Sequence, residues 1–593
     1  MSVKLDLDLD QWVKLYACGD HHGLCKEFIR VLTFFSNNTY ITCDPTLSHR
    51  INSIVQNFLH LFSSPDFRVP VQYADTLLFL NPTISNLVAI SDFKTTDPWM
   101  EMIMKQEENL LKIVTLYSSR NRFQLDPEVL FRAHPVIASK WWVSCWFSSE
   151  CFCSPDIFSF FLRHLEKLGN QFQLYGPGAS APYFFVTYID PQKDHVFKSR
   201  FNQMVQDTLG HVHIQSNPNP HHIAVATSKW FASSAVYKCL HEFLKTLKPE
   251  YKMTLIHLGH PRNDLETSLF DEVIPIRFEG SSLSISPLQT NTFGLIYYPD
   301  IGMDYEGKFL SNLKIAPIQV MGYGHPVSTF GSQIDYFLGG QTVEDPNLSE
   351  GSYSERLVLI PGMGVHPVYP SYIPARGTIP EWHERPENKF IINCSWGSRK
   401  INYPLLQTLL KIKDRTSKDL LFRFYPGSGI NLMNSYLPIL QDLQEVFGKD
   451  SVSLIPQVSY KVYMDLLSVG SFSLDAFPFG GFNTILDSLV TGCPVITWEG
   501  NRSFNRIASA FMRQIDLEEC IAKSEEEYIQ KAVELIDSED KLESLRKKIT
   551  SLDFHNKVYN PDHPTYFKKA IDFLIDQHQN LQSNQSKEPI LIQ

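Results

Sequence analysis

The chain has 593 residues, 43% hydrophobic and 20% charged, with a formal net charge of −11. That length exceeds one ordinary core and implies two or three domains. The acidic balance argues against a general nucleic-acid or anionic-membrane binder, while leaving room for a local phosphate site.

The first ten residues alternate acidic and apolar side chains without a basic leader, so they do not read as a signal peptide. No apolar run reaches the roughly 18 residues that a membrane span needs, and no membrane insertion is expected. Ten cysteines are dispersed without a CxxC pair, which points to a reducing, cytoplasmic environment. Residues 1–215 read as an all-α-rich domain. Ser48 to Phe62 and Asp156 to Leu168 both space apolar residues at three and four. No 34-residue self-similarity is visible, so a tetratricopeptide array is not supported. The cluster Trp141, Trp142, Trp146 and Phe147 is read as packing between helices. A loop signal follows at Gly176–Pro182, and the apolar run Tyr183–Ile189 is read as a strand.

Strand–helix–strand alternation begins at Ile223 and predicts a parallel sheet covered by helices. Strands are expected at Ile223–Thr227, Met253–His257, Gly294–Tyr298, Ile318–Met321 and Leu357–Ile360, with a helix over Ser234–Leu247. The proline-rich stretch Ile373–Pro386 marks a boundary. A second α/β series then places strands near Phe390–Cys394, Leu420–Tyr425, Val452–Ile455 and Phe472–Leu474. A late helix opens at Ser524 with a capping-box pattern. The expected domains are 1–215, a first Rossmann-like acceptor-side domain 216–385, a second Rossmann-like donor domain 386–580, and a frayed tail 581–593. The fold class is thus an all-α N-terminal domain followed by an α/β GT-B architecture, with a cleft between two Rossmann-like domains.

The most informative stretch runs from Asp475 through Phe479-Gly-Gly-Phe-Asn-Thr484 to Asp487, followed by Thr491–Thr497. A helix opened by glycines offers backbone N–H groups and the positive end of its dipole, which suits a diphosphate. Asp487 lies within one helical turn of Thr484, in reach of a ribose hydroxyl. The only N-terminal DxD patterns, within Asp6–Asp10, fall outside the α/β region and read as a solvated face.

From about residue 223 to 549 the motifs resemble glycosyltransferase family 41, which contains the O-GlcNAc transferases and the bacterial adhesin-glycosylating transferases. The resemblance rests on Ala316–Thr329 with Ile334–Phe337, Tyr353–Pro361, Lys400 in Arg-Lys-Ile-Asn-Tyr-Pro404, the Asp475–Asp487 stretch, and Val495–Thr497 with Glu499-Gly500. It implies an inverting transferase moving a hexose or GlcNAc from a UDP-sugar to a polypeptide or glycoprotein acceptor. No metal cofactor, nucleic-acid partner or membrane insertion is expected. Lys400, Gly481, Asn483, Thr484 and Asp487 would bind the donor, with Tyr463 near the base. His325, Asp300 and Ser234 are the catalytic candidates. The family usually carries a histidine after the first strand of the first Rossmann-like domain, where this chain has Ser233 or Ser234. His257 and His260 follow the second strand instead. Asn, Ser/Thr and an existing glycan all stay open as acceptors, and so does a UDP-sugar-binding sensor or assembly partner without turnover.

Overall fold

The computed structural model describes the chain except residues 1–6, 39, 108, 149–150, 167–170, 175–176, 210–211, 213–214, 349–350, 376–388, 428–429, 560–563 and 585. Most of the boundary expected at Ile373–Pro386 lies outside the described residues. Two compact units emerge. One comprises Met1–Tyr175, Trp396–Leu410 and Asp419–Val458; the other comprises Gly176–Ser395, Lys411–Lys418 and Ser459–Gln593.

The first unit is mainly helical. Asp44 accepts the Leu47 N–H and Pro45 fills the first turn, so helix Pro45–Ser63 starts where its sequence directs. The expected helix at Asp156–Leu168 is Pro155–Glu166. Helix Ala74–Ile90 is buried on most sides, and its Asn81 donates to the Thr115 and Tyr117 carbonyls at 2.8 and 3.1 Å. Trp141, Trp142 and Trp146 are buried, and His164 stacks on Trp142 at 4.7 Å, which is the interhelical packing expected of this cluster. Strands Leu420–Phe424 and Val452–Leu454 pair in parallel.

The second unit begins with helices Ala181–Ile189 and Asp194–Leu209. The strand expected at Tyr183–Ile189 is therefore a helix. A short apolar run cannot distinguish a buried strand from a buried helix, and Pro182 fits a first helical turn. Next comes an eight-stranded sheet in the order Ile590–Leu591, Arg356–Ile360, Tyr336–Gly340, Ile318–Met321, Thr290–Tyr298, Gln215–Thr227, Lys252–Leu258, Glu272–Ile276. Every neighbouring pair is parallel. All five strands expected here lie within observed ones. Glu272–Ile276 escaped notice because it is an exposed edge carrying Pro275, and Tyr336–Gly340 because it ends in paired glycines.

The tail is not frayed. Helix Pro564–Asn584 runs through its start, and Ile590–Leu591 then forms the far edge of the sheet against Val358 and Leu359. Its polar composition hid two apolar anchors, Ile590 and Ile592, both buried. A second parallel sheet in this unit contains Phe390–Cys394, Phe472–Leu474, Val495–Trp498 and Ile521–Ala522. A helical N-terminal region followed by parallel α/β layers is the fold class expected. No helix among the described residues is long and apolar enough to cross a membrane.

Strand Gln215–Thr227 has Lys252–Leu258 on one side and Thr290–Tyr298 on the other. The chain thus winds outward in both directions from this strand. In open α/β sheets, ligands bind at such a switch point, beyond the carboxyl ends of the strands.

Candidate active site

Strand Phe472–Leu474 delivers Asp475, which is 2% exposed, into the turn before the glycines. One carboxylate oxygen accepts the Ala476 and Gly481 N–H groups at 2.8 and 2.7 Å; the other accepts the Thr497 hydroxyl at 2.8 Å. The Asp475 carbonyl accepts the Tyr528 hydroxyl at 2.8 Å. These bonds close the loop. They also engage the Gly481 N–H itself, so the backbone donors expected after Gly481 are those of the residues that follow it. Gly481 instead gives the loop room: a Cβ there would lie 2.8 Å from both the Ile485 and Thr484 side chains.

Helix Asn483–Val490 follows without a side-chain cap at its start. The Asn483 and Thr484 N–H groups lie beyond the reach of intrahelical bonding, whereas the Ile485 N–H bonds the Phe482 carbonyl at 3.1 Å. The Asn483 side chain accepts the Val368 N–H at 3.1 Å and approaches the Cys239 sulfur at 3.8 Å. Thr484 is half-buried. One turn on, buried Asp487 accepts the Tyr460 hydroxyl at 2.7 Å. Burial pushes its carboxyl up to about 6, and the Tyr460 hydrogen bond offsets part of the shift. Tyr463 lies one turn along the same helix, its ring 6.1 Å from that of Tyr460. The tyrosine that meets Asp487 is therefore Tyr460, which sequence reasoning missed. Asp475 was also missed as the loop's organiser, although an Asp directly ending a strand before a Pro/Gly turn is a recognisable signal. Lys400 belongs to the first unit, on the turn Ser398–Lys400, where its N–H meets the Gly397 carbonyl at 2.8 Å.

The other candidates gather at the carboxyl edge of the eight-stranded sheet. His325, 3% exposed, is sandwiched between Phe184 at 4.7 Å and Phe479 at 6.2 Å, with Nδ1 3.2 Å from the Ile301 carbonyl oxygen. Phe479 also stacks on Tyr188 and Phe504, which brings the glycine loop to the His325 loop. Glu355 fixes the same loop by accepting the Ser328 hydroxyl at 2.7 Å and the Thr329 N–H at 2.9 Å. Two of the motifs noted in the sequence are therefore one structural device. Asp300, 1% exposed, follows strand Thr290–Tyr298. Burial and the neighbouring Asp304 carboxylate push its carboxyl well above the usual range, and a Thr227 hydrogen bond opposes them. Ser234 occupies the N-cap of helix Ala235–Lys245 without a side-chain capping bond. That same helix carries Cys239 to Asn483. His257 directs Nε2 at the His260 carbonyl, 2.9 Å away. Asp300, His325, the Ser234 helix and the Asn483–Asp487 helix all belong to the second unit.

Residues 438–567, which include Tyr460, Asp475 and Asp487, match the model described as Glycosyl transferase family 41. This segment is similar to glycosyltransferase family 41. The chain is 24% identical over 489 residues to a "UDP-glucose:protein N-beta-glucosyltransferase" of Actinobacillus pleuropneumoniae serotype 5b, covering 77% of this chain and 75% of the relative. It is 28% identical over 243 residues to a "Probable UDP-N-acetylglucosamine--peptide N-acetylglucosaminyltransferase SPINDLY" of Hordeum vulgare, covering 40% of this chain and 25% of that protein. In fold it is similar to a solved O-GlcNAc transferase mutant of Thermobaculum terrenum, with TM-score 0.60 and 16% identity over 95% of this chain and 99% of that one. The family 41 segment holds the whole glycine loop and the Asp487 helix, whereas Asp300 and His325 lie outside it.

Proposed function

We propose that this chain is an inverting, metal-independent glycosyltransferase that moves a hexose or N-acetylglucosamine from a UDP-sugar to a protein side chain. The observation that carries this reading is the loop closed by Asp475, which feeds an uncapped helix N-terminus with Asp487 one turn inside it. The leaving diphosphate gathers negative charge as the sugar–phosphate bond breaks. Fixed N–H donors and the helix dipole would stabilise that charge. Asp487 would accept a ribose hydroxyl, and Thr484 would add a hydroxyl near the phosphates. The acceptor attacks the anomeric carbon from the face opposite UDP, which inverts its configuration.

The relative aligned over most of this chain is named for a β-linked N-glucosyl product, and this favours glucose and an Asn acceptor over Ser/Thr. Ten cysteines dispersed without a CxxC pair suit a reducing compartment such as the cytoplasm.

The test incubates the protein separately with labelled UDP-glucose, UDP-galactose and UDP-GlcNAc, with an Asn-X-Thr peptide, in the presence and absence of EDTA. Acid-stable label on the peptide, undiminished by EDTA, is expected. Loss of transfer on chelation would refute metal independence. The absence of histidine at Ser233/Ser234 favours one rival, a UDP-sugar sensor. Tight UDP binding with neither donor hydrolysis nor transfer would establish that rival.

A further inference from the structure

An inverting transfer must place one proton, and the loop after strand Gln215–Thr227 carries serines and no histidine to take it. Resting on the transferase reading, we propose that Asp300 is the base that takes the acceptor's proton and that Asp304 is its positioning residue.

Asp300 stands at the switch point, where the strand that precedes it pairs with the strand ending in Thr227. It is 1% exposed, and its Oδ2 has no hydrogen-bond partner among the described residues. A buried carboxylate oxygen without a donor costs free energy, and such groups concentrate where chemistry uses them. Its position is fixed by a close backbone approach: the Gly324 N–H bonds the Pro299 carbonyl at 2.8 Å, and a Cβ on Gly324 would lie 2.9 Å from the Asp300 Cβ. Asp304 is half-buried and caps helix Tyr305–Leu310 through the Gly307 N–H at 2.5 Å.

The charged and titratable groups around the pair are Lys229 from the loop after the first strand, Lys308 and Glu306 from the capped helix, and Tyr297 from the strand. His325 faces the intervening Ile301 carbonyl. Burial and the Asp304 charge raise the Asp300 carboxyl and Lys229 lowers it, with a balance at about 8. A base is most effective when its pKa lies near the working pH. The other candidates fit less well: His325 is sandwiched between rings, and a serine hydroxyl is a poor base at neutral pH.

In the step itself, the acceptor nitrogen or oxygen forms a bond to the anomeric carbon and gives its proton to Asp300. The bond from that carbon to the β-phosphate oxygen breaks, and the electron pair leaves with UDP.

The test measures kcat/KM from pH 5.5 to 9.5 with UDP-glucose and the Asn-X-Thr peptide, and UDP affinity by calorimetry, for wild type, Asp300→Asn and Asp304→Asn. Wild type should show a rate that climbs with pH toward a limb near 8. Asp300→Asn should lose about 10²–10⁴-fold in rate and the limb, yet bind UDP within about twofold of wild type. Asp304→Asn removes the charge that raises Asp300, so its limb should move to lower pH by roughly one unit. A merely structural role would not move the limb. An Asp300→Asn variant with wild-type rate and limb, or an unmoved limb in Asp304→Asn, overturns the assignment. If Asp300→Asn does not fold, the Asp304→Asn profile decides alone. A wild-type protein inert toward every UDP-sugar would remove the transferase reading and this base together; an active Asp300→Asn would remove the base alone.

Discussion

On the proposed donor role, Asp487 would face opposite demands in the free protein and in one loaded with UDP. Its folded-state carboxyl is raised by burial to about 6. The stability it contributes is therefore complete below about pH 4 and is lost as pH rises through about 6. Ionisation costs the free protein about 3 kcal/mol at neutral pH. Asp487→Asn should raise the melting temperature of the ligand-free protein at pH 7.5, with the gain shrinking toward pH 4.5. A gain that does not vary with pH would contradict this linkage. The same variant should bind UDP more weakly, because a ribose hydroxyl would lose a charged acceptor. Lys400→Ala should weaken UDP binding by roughly 1.5–3 kcal/mol, the range for a hydrogen bond to a charged group. Unchanged calorimetric affinity in a folded variant would defeat that role. At this scale the sequence identified Asp487 through its spacing from the glycines. Its partner Tyr460 was not legible, because two tyrosines three residues apart in one helix differ only in which faces the carboxylate.

At the scale of elements, the Asp475 loop and the C-terminal strand carry the clearest consequences. Asp475→Ala would leave two buried N–H groups and the Thr497 hydroxyl without their acceptor. At roughly 1–3 kcal/mol for each unsatisfied group, thermal stability should fall markedly and UDP binding should be lost. Retained UDP affinity would show that the loop holds its shape without Asp475. Deleting residues 586–593 removes the strand pairing of Ile590–Leu591, the Ile592 N–H bond to the Leu359 carbonyl at 2.9 Å, and two buried isoleucines. Each isoleucine is worth about 1.5–3 kcal/mol, so the truncated protein should melt several degrees lower. An unchanged melting temperature would mean that the edge strand is dispensable. Periodicity located the long helices and central strands but failed at this tail. Two apolar residues are too short a signal, and only pairing with strand Arg356–Ile360 gives them structure.

At the scale of the molecule, the two sheets of the second unit are tied by polar contacts that join distant motifs. Buried Glu344 accepts the hydroxyls of Tyr323 and Tyr353 at 2.9 and 2.5 Å, and Tyr353 also meets the Ser503 hydroxyl at 2.9 Å. Arg506 donates to the Val343 carbonyl at 3.0 Å, and Arg502 to the Ser352 carbonyl at 3.3 Å. Tyr353→Phe should therefore lower thermal stability by about 1–3 kcal/mol, because Glu344 and Ser503 each lose a partner in a buried setting. A Tyr353→Phe protein that melts like wild type would show that water replaces the hydroxyl at no cost.

The sequence by itself determined the helical start, the strand–helix alternation, the glycine-opened helix and the resemblance of the Asp475–Asp487 segment to family 41. Each of these is encoded within a few tens of residues, as apolar period, turn chemistry or motif spacing. Only the tertiary structure decided that Tyr183–Ile189 is a helix, that the tail closes a sheet edge, that Asp475 consumes the Gly481 N–H, and that Tyr460 holds Asp487. It alone brought Asp300 to the strand switch point beside Thr227 and Asp304. These outcomes depend on which distant residues share a buried space. Burial and hydrogen-bond pairing are set by the packed chain, not by local spacing.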